Sequence, residues 1–167
     1  MNSDEIRNCL SGVLEAIPDP RISLADEVLH FVYQVTPMIN VDLLIQDENR
    51  RTLLSWRDDQ YGSGWHIPGG IVRYRETLER RIAEVARIEL GATVEAEPKP
   101  CEVTQFNEGP RGHFISLLYR CKLTSPVASE LLFQGGEPKR DELGWIQGVP
   151  DDILEVHRRY ERWLRGS

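Results

Sequence analysis

The chain lacks any apolar run approaching the roughly 20 residues that a bilayer-spanning helix needs, so a helical membrane anchor is not expected among its 167 residues. Its opening, MNSDEIRNCLSGVLEAIPDP, carries acids and has no basic stretch leading into an apolar one, so it does not read as a secretory signal; a cytoplasmic location is the default expectation. Cysteine is scarce. Cys9, Cys101 and Cys121 are far apart and show no CxxC or Cys/His spacing, which excludes a zinc site or disulfide framework and leaves free thiols. An excess of positive charge is missing too: the formal charge is −7. A general nucleic-acid binder needs a basic face to displace counterions, so that class is excluded, while a phosphate pocket built from a few arginines is not. Internal repeats and low-complexity tracts are absent.

The composition, 40% hydrophobic and 28% charged, is that of a soluble globular chain. Its length suits one domain better than two. We place that domain at residues 28–167 and read residues 1–27 as a helical extension. Ile6, Leu10, Val13, Leu14 and Ile17 recur at helical spacing over 4–17, and Pro18 and Pro20 end the pattern. A second helix is expected from Ser23, whose hydroxyl would cap it, to Val35. Residues 38–45 and 52–56 are β-rich and joined by the turn residues 47–50, which predicts a hairpin. A loop rich in glycine and aspartate covers 58–70. A helix over 76–90 follows, with Leu78, Ile82, Val85, Ala86 and Leu90 on one side and Gly91 as a left-handed cap. Strands at 103–106 and 113–123 joined by the turn 107–110, a short strand at Trp145-Ile146 and a closing helix from Pro150 to Leu164 complete the pattern. Strands and helices in this order predict an α/β (α+β) fold, a mixed β-sheet sandwiched between helices.

Residues 64–94, GWHIPGGIVRYRETLERRIAEVARIELGATV, carry the chemical signal. They resemble the Nudix box, G-x5-E-x7-R-E-U-x-E-E-x-G-U with U a bulky aliphatic residue, which W-x-x-P-G-G often precedes. Gly70, Glu76, Glu89 and Gly91 match, as do Trp65, Pro68 and Gly69 before them. Glycines bring the backbone close to a ligand, and hard cations take oxygen ligands that they share with substrate phosphates. The box departs from the pattern at Glu84-Val85-Ala86-Arg87-Ile88-Glu89, which keeps one expected carboxylate of three. Glu84 is no substitute for the others, lying about 140° from Glu89 at roughly 100° per residue. Within the Nudix family the nearest resemblance is to the GDP-mannose mannosyl hydrolases, whose box also reads G-x5-E-T-L-E and ends in a single E-L-G. Glu76-Thr77-Leu78-Glu79 and Glu89-Leu90-Gly91 fit it. So do Thr36-Pro37-Met38-Ile39-Asn40-Val41-Asp42, Leu53-Leu54 followed by Arg57, and His113, Trp145 and Val156-His157 downstream.

The resemblance implies magnesium (or manganese) held by Glu89 and the Gly69 carbonyl, Arg57 stabilising the departing diphosphate, and Asp42 and His113 beside the nucleotide sugar. It also implies a homodimer acting on a small nucleotide substrate. The histidine base and glutamine ligand of that subgroup are absent from Pro138-Lys139-Arg140-Asp141-Glu142, where Asp141 or Glu142 is the replacement base. An arginine that follows the second box glycine is replaced by Ile71, with Arg73 or Arg75 as substitutes. Plain structural roles compete with functional ones: Asp42 as a satisfied buried acid, His66 as packing against a substrate contact from beside the glycine loop, His157 as structural, and Glu79-Arg80-Arg81 as a solvated helical face. Two functions are expected from the resemblance: magnesium-assisted hydrolysis of a nucleoside diphosphate sugar or a related nucleoside-diphosphate-linked compound, or a nucleotide-binding or regulatory module on the same fold that has lost turnover.

Overall fold

The computed structural model describes the whole chain except residues 23, 108–111 and 166–167. Two helices come first, α1 (Ser3–Glu15) and α2 (Asp26–Val35). The Asn2 side chain caps α1 by accepting the amides of Asp4 and Glu5, and Glu5 returns the bond to the Asn2 amide. Ser23 lies outside the described residues; α2 begins after Ala25 with no side-chain cap. Strands β1 (Met38–Ile45), β2 (Thr52–Asp59), β3 (Gly62–His66) and β4 (Gly69–Ile71) lead to helix α3 (Leu78–Leu90). Then follow β5 (Val94–Ala96), β6 (Glu102–Phe106), β7 (Phe114–Leu123), β8 (Leu143–Ile146), a 3-10 helix at Glu155–Tyr160 and α4 (Glu161–Leu164).

Among the described residues the strands form two sheets. In the larger, β1 lies between β4, antiparallel to it, and β7, parallel to it; β5 and β6 share the far edge of β7. The smaller runs β3-β2-β8. Alternation along β1 decides what each sheet face does. Val41, Leu43 and Ile45 point to the core under α3, with Ile82, Val85, Ala86 and Leu90. Leu44 points to a second core with Leu54, Trp65, Ile67, Leu118 and Tyr160. Asn40 and Asp42 therefore share the side of the second core, and the parallel register sets Ser116 of β7 opposite Asn40.

Three sequence expectations need correction. The hairpin over 38–56 stops at one bridge, Gln46↔Thr52, after which β1 and β2 part into different sheets. Both edges of β1 are already taken by β4 and β7, which leaves no ladder for β2. The expected loop 58–70 contains β3 and β4, because β2 and β1 each offer them a free edge. The closing helix does not run from Pro150. The Trp65 amide donates to the Asp152 carbonyl (3.0 Å) and the Leu154 amide to the Trp65 carbonyl (2.9 Å), which hold 152–154 extended against β3; only then does the chain coil. Gly91 does cap α3 in the left-handed conformation, at φ 57°. The turn expected at 107–110 lies for the most part outside the described residues.

Candidate functional site

A cavity of about 350 Å³ opens where the second core meets β4. Asn40, Asp42, Ser116, Arg57, His66 and His157 form its polar wall, and Ile71, Phe106, Phe114, Leu154 and Val156 its apolar one. Asp42 is almost wholly buried at 4% exposure, yet it is fully supported. Asn40 Nδ2 donates to its Oδ1 (2.8 Å), while Tyr160 OH (2.9 Å) and the Ser116 hydroxyl donate to its Oδ2. Burial pushes its carboxyl up to about 6 against those three bonds. A structural acid and a cavity-lining acid are thus the same residue.

The loop before α3 brings backbone and carboxylate together. The ladder between β1 and β4 has its bonded positions at 43/68 and 39/72, so the alternation of an antiparallel pair leaves both polar groups of Gly69 facing away from β1. The Gly69 amide serves Glu89, whose Oε2 is shut off from solvent and has no hydrogen-bond partner among the described residues. Burial raises the Glu89 carboxyl to about 8; Arg57 and the Gly69 amide pull it down, and Asp42 and Asp141 push it up. Gly69 has no room for a side chain: a Cβ would stand 2.7 Å from the Val41 carbonyl oxygen and strike Asp42 Oδ1. Gly70 is pressed by α3 in the same way, with Val85 Cγ2 at 2.9 Å.

Glu76 holds this loop in place. Its carboxylate accepts the Arg73 amide (2.9 Å) and is forked by Arg81 through Nε (2.8 Å) and the guanidinium NH2 group (2.9 Å), with both side chains buried. Arg81 is therefore not part of a solvated face. Its helix position turns it inward, and a buried guanidinium needs a carboxylate partner. Glu84 points outward and pairs with Arg87 at 2.8 Å, which leaves Glu89 as the box carboxylate that meets Gly69.

Of the residues singled out in sequence, Asp42, Arg57, His66, Gly69, Val156 and His157 line the cavity, and Glu89 lies directly behind Gly69. His113 and Glu142 are not among the cavity-lining residues. The His113 ring pairs with the Gln105 amide at 2.9 Å, and Glu142 Oε2 accepts the Lys139 amide of its own loop at 2.9 Å. Arg73 and Arg75 are exposed away from the cavity, Arg75 over the Tyr74 ring. Asn40 was legible in principle, two positions before Asp42 on a strand. Ser116 and Tyr160 were not, and although His157 belongs to the resemblance, only the fold brings these three to Asp42 and His66.

The donor set suits a hard cation: the orphaned Glu89 Oε2 and a Gly69 carbonyl on the open side of β4 are both oxygens. Among the described residues no group of three or more histidine, cysteine and acidic side chains is placed to hold a metal. Substrate phosphate and water must complete any shell.

No protein-family model matches the chain. It is 24% identical over 167 residues to an ADP-ribose pyrophosphatase of Methanocaldococcus jannaschii, covering 95% of this chain and 96% of that one. Among solved structures it resembles a NUDIX hydrolase from Nitrosomonas europaea, at TM-score 0.55 and 27% identity over 77% of this chain and 70% of that one. It also resembles a MutT protein from Methanosarcina mazei, at TM-score 0.59 and 22% identity over 78% and 96%. No helix among the described residues is long and apolar enough to cross a membrane. The chain thus has the fold of the Nudix hydrolases, with residues 64–91 forming the loop and helix at its candidate site.

Proposed function

We propose that this chain is a hydrolase of nucleoside diphosphates joined to a second group, with a nucleotide sugar of the GDP-mannose kind as the first candidate substrate. One observation carries the reading. Arg57 on the cavity wall acts electrostatically on a buried carboxylate, Glu89, that has one oxygen without a hydrogen-bond partner among the described residues and sits on the Gly69 amide. That combination suits a diphosphate and its cation better than a neutral metabolite. The Methanocaldococcus relative is named for ADP-ribose, another nucleoside diphosphate joined to a sugar.

Glu89 Oε2 and the Gly69 carbonyl would hold magnesium or manganese, which when bound supplies positive charge to the diphosphate. Arg57 adds a fixed cation where negative charge develops on the leaving group. Asp42, ionised above about pH 6, has about four acceptor positions, three of them filled by Asn40, Ser116 and Tyr160; the fourth is offered to a sugar hydroxyl. Phe106 and Phe114 give the cavity an apolar wall for a ring face. Helix α1 buries none of its residues, which supports reading residues 1–27 as an extension to a domain at 28–167 and a pairing of two copies through it.

The test is a panel of nucleotide sugars and other nucleoside-diphosphate compounds with magnesium or manganese, reading free sugar and phosphate products separately, with Glu89→Gln alongside. Release of intact sugar and nucleoside diphosphate, lost in the variant, supports cleavage at the sugar. Nucleoside monophosphate and sugar phosphate would instead assign cleavage between the phosphates. The binding-module reading draws on Val85, which fills the core under α3 where the box expects a carboxylate. Thermal stabilisation by these compounds without turnover would favour it and refute the hydrolase.

A further inference from the structure

Two imidazoles stand in the cavity wall without a part in the scheme above, and the scheme lacks a group to take a proton from water. His66 and His157 are both buried, at 5% and 8% exposure, with ring centroids 5.6 Å apart. One peptide unit fixes both rings. His66 Nδ1 lies 2.9 Å from the Ile67 carbonyl oxygen, which can only accept, so Nδ1 carries the proton. The Ile67 amide donates to His157 Nδ1 at 3.4 Å, so that nitrogen carries none. In a neutral imidazole one nitrogen donates and the other accepts. In the neutral rings this makes Nε2 of His66 an acceptor and Nε2 of His157 a donor. The rings also differ in what protonation does to them. His66 can take a second proton at Nε2 and keep its bond to Ile67; His157 would have to give its bond up.

We propose that His66 is the proton acceptor of the hydrolytic reaction and that His157 is a neutral hydrogen-bond donor to the substrate, an assignment that rests on the hydrolase reading. The register sets His66 opposite Ser55 on β2, and Arg57 is two residues further along that strand, so Arg57 and His66 occupy one face of the β2–β3 ladder on a diagonal. Such diagonal neighbours have Cα atoms roughly 7–8 Å apart, within reach of long side chains across one substrate. Asp42 from β1 and Glu155 from the 3-10 helix face the same cavity and favour an imidazolium once it forms. In the step, the oxygen of a cavity water bonds to the electrophilic carbon or phosphorus while the bond to the leaving oxygen breaks. The water proton passes to His66 Nε2, and the electron pair departs on the leaving oxygen of the diphosphate. His66 then returns the proton to solvent.

His66→Asn tests this, because asparagine places a donor where Nδ1 stood, keeping the Ile67 tether, and has nothing at Nε2. With the nucleotide sugar that the wild-type protein turns over, kcat should fall by roughly 10²–10⁴-fold while KM changes little. In His66→Ala, added imidazole should restore part of the lost turnover. Nitrogen-edited NMR of the wild-type rings should show Nδ1–H at His66 and Nε2–H at His157. Unchanged kcat in His66→Asn, no imidazole rescue, or the opposite tautomers would each overturn the assignment. A wild-type protein that turns over nothing in the panel refutes the hydrolase reading and this base with it; turnover that survives in His66→Asn removes the base alone.

Discussion

Arg81→Met should cost this protein far more than a helix-surface arginine would. The guanidinium makes a two-armed contact with Glu76, Nε to Oε2 at 2.8 Å and the NH2 group to Oε1 at 2.9 Å, and the two side chains are only 7% and 8% exposed. Removing Arg81 leaves the Glu76 carboxylate buried, with the Arg73 amide as its one remaining hydrogen-bond partner among the described residues. Breaking a buried pair from one side costs about 3–5 kcal/mol, whereas an exposed pair contributes about 0–1 kcal/mol. At roughly 2–4 °C per kcal/mol for a domain of this size, the melting temperature should drop by about 10 °C. Glu76→Leu alone should cost a similar amount by stranding the guanidinium. The double variant should recover much of the loss, because replacing both charges removes the stranded partner. Urea denaturation of the wild-type protein, the two single variants and the double variant at constant pH closes the cycle. If each single variant loses under about 1 kcal/mol, or the two losses simply add, the pair is behaving as a solvated one and the burial argument fails.

Asp42→Asn should remove a pH dependence of stability. A folded-state carboxyl raised from 3.8 to about 6 binds its proton more tightly in the folded chain, so its contribution is present below about pH 4 and is lost as pH rises to 6. Two pH units correspond to roughly 3 kcal/mol, and the wild-type-minus-variant difference in urea stability should slope downward by an amount of that order between pH 4 and 7; parallel curves would show that the acid is not penalised by burial. Gly69→Ala should destabilise by about 1–3 kcal/mol, since its Cβ would meet the Val41 carbonyl at 2.7 Å, and metal-dependent turnover should fall with it. A variant of wild-type stability and activity would mean that β4 can move off β1.

The local chemistry of this chain was set by sequence wherever neighbouring residues suffice to fix it. Glycine at 91 after an apolar helical stripe dictated the left-handed cap of α3, and the spacing from Gly70 to Glu89 dictated a loop and helix that present one carboxylate. The β-rich run 38–45 likewise foretold a strand with Asp42 inside it. What sequence did not determine is which partners lie across the fold. Strand edges are satisfied by whichever strand reaches them, so β2 left β1 after a single bridge and the glycine loop became two strands. Arg81 reads as solvated until α3 docks and buries it against Glu76. Asp42 gains the hydroxyls of Ser116 and Tyr160 from 74 and 118 residues away, and His157 reaches the Ile67 amide across 90. Hydrogen bonds and burial over such separations depend on packing that no local pattern encodes, and for that reason the cavity and its paired histidines came only from the tertiary structure.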